Sequence, residues 1–444
     1  MLELRRLFVV VTLVGCFSAV FAQVRPVAGG EWPQWRGPSR DGKSAETGLL
    51  TKWPEEGPRL LFTASGCGSG FSSLAIQNGR MYAAGNRQPQ SGGDRQLCVV
   101  ALNLQDGKEQ WVTPIAAEYT HDRGDGPRST PTADGELLFI ETPQGHVVCL
   151  QTSDGEEVWR RDLKRDFGGQ MMSGWGYSES PLVDGEQLIC TPGGKAAVMV
   201  AMNKRTGDQI WRCEIPNPSE LGARGRDGAG YASPVISEAC GIRQYVQQIG
   251  KGLIGVEAKT GKFLWSYNNA AGRTANVPDA VVQGDYVFGS SGYTPGGSGL
   301  VKLSKTADGI QAEEVYFLSE DTFRNHHGGL VLVGDYVYGG HGQNQGFPTC
   351  VELKTGKLMW ERKRPPTGAN GSAAVIYADG HLYLRFQSAM MVLIKADPQN
   401  YEVVSTFKIP QDEKVNSWAH PVISDGKLYL REQDKVHVFD LRKS

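Results

Sequence analysis

The chain has 444 residues, with 46 basic against 48 acidic side chains and a formal net charge of −2. Charge so evenly balanced excludes a global field that would recruit nucleic acid or an anionic membrane surface. The 57 glycines, beside a hydrophobic content of 40%, point to a folded chain rich in turns rather than to disorder.

At the N-terminus, Arg5 and Arg6 precede a short apolar stretch that ends in small residues around Val20 and Ala22. This pattern predicts a secretory signal peptide over residues 1–22, cleaved before Gln23, and leaves no transmembrane span in the mature chain. The run Leu13-Val14-Gly15-Cys16 suits lipoprotein processing instead, with a lipid anchor on Cys16. Either route exports the protein to the periplasm or cell envelope. Residues 23–58, which include "WPQWRGPSRDG" from Trp32, are expected to form an extension that packs on the domain behind it.

Aromatic residues then recur at intervals of roughly fifty: Phe62, Trp111, Trp159, Trp211, Trp265, Phe317, Trp360 and Phe407. A period of this size marks a repeat architecture in which no unit can bury its faces alone. In the copy from Thr130, turns at Asp134-Gly135, Gly145 and Asp154-Gly155 separate short apolar runs, the last of which carries Trp159. Asp-Gly supplies the positive φ of tight hairpins, so the unit reads as a four-stranded antiparallel meander, a propeller blade. Similar copies start at Ser180, Ser233 and Leu330, and weaker ones at Ser72, Asn276 and Ser372. The final copy, from His420, stops after three strands, and the segment around Phe62 is an outer strand without partners. Pairing of that segment with the strand near Val438 would close the ring and leave no strand edge exposed. The predicted fold is therefore all-β: one eight-bladed β-propeller domain over residues 59–444.

The cysteines other than Cys16 are odd in number and scattered over different blades, with no Cys-x-x-Cys pair, so their spacing supplies no disulfide framework and no metal or redox motif. Trp111, Trp159, Trp211, Trp265 and Trp360 read as structural docking residues that bury large faces between neighbouring blades.

The segments "ALNLQDGKEQW", "AMNKRTGDQIW", "GVEAKTGKFLW" and "CVELKTGKLMW" resemble the tryptophan-docking repeat of the pyrroloquinoline quinone (PQQ)-like β-propellers. The resemblance spans Phe62 to Leu441, and the Trp-rich lead-in from Trp32 is similar to that of exported members. The family holds two kinds of protein, quinoprotein alcohol dehydrogenases and the non-catalytic outer-membrane-protein assembly lipoprotein.

Function is expected where the loops that enter the innermost strands meet the channel mouth. Those loops bring Arg128, Trp175, Tyr177, Glu179, Arg226, Tyr231, Asn276, Asn325, His326, His327, Trp418 and His420 to one face. Polar groups interleaved with aromatics describe either a binding funnel or a hydrogen-bonded cap over the channel. The dehydrogenase resemblance implies PQQ and calcium, with Glu179 and Asn276 as candidate calcium ligands, Asp279 as candidate catalytic base and Arg128 or Arg324 beside the quinone. The chain departs from that pattern in lacking adjacent cysteines and in being short for a dehydrogenase. The adjacent His326-His327, with His341, lacks the spacing of a transition-metal site. The sequence thus favours an exported binding or scaffold protein, its partner an envelope protein or a small ligand at the funnel. A PQQ- and calcium-dependent dehydrogenase acting on an alcohol or sugar-like substrate is the alternative.

Overall fold

The computed structural model describes residues 30–89, 92–215, 221–307, 309–360, 364–411 and 415–443. The expected signal sequence and Cys16 lie outside the described residues. Among those described, strands form eight antiparallel sheets, spanning 75–117, 132–162, 182–213, 235–267, 281–319, 325–352, 373–408 and 422–440. These are blades 1 to 8 of a propeller. In blade 6 three strands are seen, with a single bridge from Val351 to Leu358 where the outer strand would start.

The ring closes as its sequence predicts. Strand Leu60–Ser65 pairs antiparallel with Lys435–Asp440, setting Phe62 opposite Val438 and Ala64 opposite Val436. It thereby becomes the outer strand of blade 8.

The core is a ring of separate clusters between adjacent blades. One joins Tyr82 and Trp111 of blade 1 to Leu138 and Leu150 of blade 2, and another joins Phe139 and Trp159 of blade 2 to Leu188 and Met202 of blade 3. The docking geometry explains the Thr-Gly turns. The indole Nε1 of Trp159 donates to the Lys204 carbonyl at 2.9 Å, and its ring covers Gly207, where a Cβ would lie 2.7 Å away. Gly207 also has φ +73°, so both space and backbone conformation select glycine. Trp111 donates in the same way to Thr152, Trp211 to Ala258 and Trp360 to Asp397.

Two blades depart from the periodic reading. Trp265 donates to Gln244 of its own blade, at 2.6 Å. Blade 5 offers it no short turn, because its last two strands run long, Gly297–Thr306 and Gly309–Ser319. In blade 5 the aromatic that packs on the following turn is Tyr316, not Phe317. The Tyr316 ring lies over Gly356 and its hydroxyl donates to Leu353 O at 2.6 Å. Tyr316 pairs with Leu300 just before the same register irregularity that follows each docking tryptophan of blades 1 to 4, and Phe317, the next residue along the strand, faces the other side, where the Arg224 guanidinium stands 5.0 Å from its ring.

Residues 30–50 enter the central channel, which their position in the sequence does not reveal. Trp32 pairs with Ile76 on an innermost strand, and Pro33 O accepts from Ala133 N on the next. The segment turns back at Gly37–Arg40 and leaves beside Tyr377, its Glu46 capping the turn at Asp425 and Gly426.

Candidate functional site

Two buried arginines anchor this segment. Arg36 donates to the carbonyls of Leu330 and Val375 on blades 6 and 7. Arg40 reaches the other way, to Ser180 O at 2.7 Å and Pro181 O at 3.1 Å. Innermost-strand carbonyls point into the channel with no strand beyond them, and guanidiniums satisfy several at once. Asp279 answers this charge: its Oδ2 accepts from Trp35 Nε1 at 2.6 Å and lies 4.0 Å from Arg36 Nε, while its Oδ1 accepts from Ser233 N at 2.7 Å. Burial raises the Asp279 carboxyl above its ordinary range, against the pull of Arg36.

Above Trp35 the mouth opens into a cavity of about 670 Å³. Its wall is a belt of rings supplied by most blades in turn. Phe71 and Trp418 have centroids 4.8 Å apart, Trp418 and His327 5.1 Å, His327 and His326 4.3 Å, and His326 and Tyr293 4.8 Å. Trp175 continues the belt, 5.6 Å from both Tyr293 and Tyr231. Arg128 stands beside Phe71, 5.7 Å from the ring centroid. Its guanidinium donates to Gly126 O and Gly124 O at 3.5 and 3.2 Å and stands 5.9 Å from the Tyr119 ring centroid, and among the described residues Asp125 is the carboxylate whose charge acts on it, without a direct ion pair.

Of the residues expected at the mouth, Arg128, Trp175, Tyr231, His326, His327, Trp418 and His420 line the cavity, and so does Asp279, the candidate base. Tyr177, Glu179, Asn276 and Asn325 do not. Tyr177 is buried between blades 2 and 3, where its hydroxyl donates to Pro192 O. The Asn276 amide is taken up locally, accepting from Gly272 N and donating to Ile249 O and Gly250 O, and the Asn325 amide donates to Gly340 O. Glu179 is buried and accepts from Gln247 Nε2 at 2.8 Å. Arg226 and Arg324 also lie off the cavity wall.

Sequence reasoning missed Trp35, Phe71 and Tyr293. Phe71 sits in a Gly-Ser run that opens blade 1, and Tyr293 in "SSGYTPGGSG", which reads as an ordinary long hairpin. A bulky aromatic among turn residues at a blade entrance is the signal available for both.

The cavity histidines are neutral bases. Burial and the nearby Arg128 hold His327 down at about 4, and burial likewise lowers His326 and His420. Nε2 of His326 and His327 and Nδ1 of His420 have no protein partner. Because the folded-state value of His327 lies below its ordinary 6.5, the unfolded chain takes up that proton first. Stability from the neutral ring is complete above pH 6.5 and is lost as pH falls toward 4. Thermal unfolding from pH 7 to 4 should therefore decline less steeply for His327→Gln than for the wild type; equal slopes would show that His327 protonates freely among Arg128, His326 and His420.

A calcium-bound quinone finds little support in these donors. Calcium takes about six to eight oxygen ligands. The cavity carboxylates are Asp122, beside His121 at 2.8 Å, and Asp279, whose oxygens are already engaged. The candidate ligands Glu179 and Asn276 are off the cavity wall.

Comparison with known proteins agrees with the fold. The tetrathionate hydrolase of Acidithiobacillus ferrooxidans is 23% identical over 338 residues, 75% of this chain and 53% of the relative. The outer membrane protein assembly factor BamB of Vibrio cholerae is 26% identical over 128 residues, 29% of this chain and 32% of the relative. The chain thus spans about half or less of the length of these curated relatives. Among solved structures, BamB from Moraxella catarrhalis superposes with a TM-score of 0.54 at 13% identity, covering 87% of this chain and 98% of that one. The quinohemoprotein alcohol dehydrogenase from Comamonas testosteroni gives 0.61 at 12% identity, covering 94% and 81%. Residues 95–362, more than half of the chain, match the family described as outer membrane protein assembly factor BamB, and with the eight-bladed ring around them they show that the chain belongs to this PQQ-like propeller family.

Proposed function

We propose that the protein is a non-catalytic binding protein of the cell envelope, and that its channel mouth receives a small, flat, anionic ring compound. The observation that carries this reading is the aromatic belt closed by Arg128. Aromatic faces tilted around the cavity favour a flat partner, and a half-buried guanidinium that meets only two backbone carbonyls and the rings of Phe71 and Tyr119 favours an anion. The propeller is taken as one domain over 59–444, with 23–58 as an extension that packs on it and 1–22 as a leader that exports it. Among the described residues no helix is long and apolar enough to cross a membrane. The scaffold role of an assembly factor is compatible with this, since the rim and outer strands stay free when the cavity is occupied.

PQQ itself, a fused-ring tricarboxylate, is the probe. Titrated into the protein with and without calcium, it should quench tryptophan fluorescence equally in both, with no dye reduction on addition of alcohols. Arg128→Gln should weaken binding roughly 10- to 100-fold, the loss expected for a charged hydrogen bond. Absence of quenching, or an unchanged affinity in the variant, would refute the anion site; calcium-dependent dye reduction would establish the dehydrogenase instead.

A further inference from the structure

Beneath the entry loop of blade 3, away from the cavity, three ligand-type side chains converge from two blades. Glu141 ends the second strand of blade 2, Leu137–Glu141; Cys190 ends the second strand of blade 3, Gln187–Cys190; Glu179 lies in the loop that leads into blade 3. One donor atom of each lies within 4.8 Å of the other two, and all three residues are buried. Glu141 is 0% exposed, and neither of its carboxylate oxygens has a hydrogen-bond partner. Oε1 of Glu179 is likewise unpartnered, while its Oε2 is held by Gln247. Buried carboxylate oxygens are costly to leave unsatisfied, so this arrangement calls for something at its centre.

We propose that Glu141, Glu179 and Cys190 bind a divalent transition metal ion of the zinc type, with water in the fourth position. Atoms spaced as these are share a centre within about 2.8 Å of each, close to the roughly 2.0–2.3 Å of zinc–oxygen and zinc–sulfur bonds, so small side-chain rotations complete the site. The sulfur donor separates this site from a calcium site, which takes oxygen alone. Charge also closes. Two carboxylates and a thiolate exceed a dication by one negative charge, and the buried Arg40, whose field reaches Glu179 and Cys190, supplies the balancing positive one. On binding, each ligand that is protonated in the metal-free protein gives up its proton to solvent. Metal-free, burial pushes Glu179 up to about 8 and raises Glu141 and Cys190 as well, which is the behaviour of acids gathered without a cation. The ion would clamp blade 2 to blade 3 and fix the loop that presents Trp175 to the cavity, while its own ligands lie off the cavity wall, so metal content is measured without any cavity ligand.

The test uses the tag-free full chain produced in medium supplemented with zinc or cobalt. Metal analysis after gel filtration should find one ion per chain, and the cobalt form should show sulfur-to-cobalt charge-transfer absorption. Cys190→Ser should lose that absorption, and Glu141→Gln should lower the metal content at least tenfold. Should either variant fail to fold, the stoichiometry and cobalt spectrum of the wild type still decide. Wild-type protein without metal, cobalt bound without the charge-transfer absorption, or absorption that survives in Cys190→Ser would overturn the site.

Discussion

Asp279→Ala should destabilise the protein by about 3–5 kcal/mol, the loss expected when one partner of a buried ion pair is removed. Asp279 is 7% exposed and is the acceptor that meets Trp35, Ser233 N and Arg36 together. Without it Arg36 keeps only backbone carbonyls, those of Leu330, Val375 and Asp41, and its charge is left uncompensated in the channel. Asp279→Asn, which keeps the shape and one acceptor, should lose less. Urea denaturation followed by tryptophan fluorescence measures both; a loss under about 1 kcal/mol for the alanine variant would mean that water reaches Arg36 and the channel is not sealed.

Trp211→Ala should cost a comparable amount, about 3–5 kcal/mol, by opening a cavity between blades 3 and 4. Trp211 is 6% exposed, covers Gly261 and donates to Ala258 O, so truncation removes packing and leaves that carbonyl without its indole partner. The informative contrast lies in blade 5. Tyr316→Ala should resemble Trp211→Ala, and Phe317→Ala should be milder, because Tyr316 is the ring that meets the next blade. Equal losses for Tyr316 and Phe317 would contradict the opposite facing of the two rings.

That contrast shows where periodic reading reaches its limit. The spacing of aromatics locates every blade, yet within a strand a one-residue shift exchanges the two faces of the sheet. Nothing in "EEVYFLS" says which of two adjacent aromatics faces the neighbour, since that depends on pairing with the preceding strand. The candidate site was legible to a similar depth. Loops entering the innermost strands were identifiable because they interrupt the repeat, and they do supply Arg128, Trp175, Tyr231, His326, His327, Trp418 and His420 to the cavity. Which residues of each loop turn inward was not. Tyr177 and Trp175 are separated by one residue, and one packs between blades while the other lines the mouth.

Local periodicity alone determined the eight-fold architecture and the pairing of Phe62 with Val438, because turn glycines and alternating apolar runs act within about fifty residues and a missing strand leaves a visible deficit. Only the tertiary structure decided that Trp35, Arg36 and Arg40 fill the channel, and that Glu141, Glu179 and Cys190 meet beneath blade 3. Trp35, Arg36 and Arg40 lie in the lead-in outside the repeat, and Glu141 and Cys190, at the ends of equivalent strands of adjacent blades, carry no motif that marks them as a pair. The place of the arginines is set by ring closure, which turns free innermost-strand carbonyls toward one axis and leaves them to whichever donors can reach, and the meeting of the carboxylates and the thiol is set by the packing of blade 2 against blade 3.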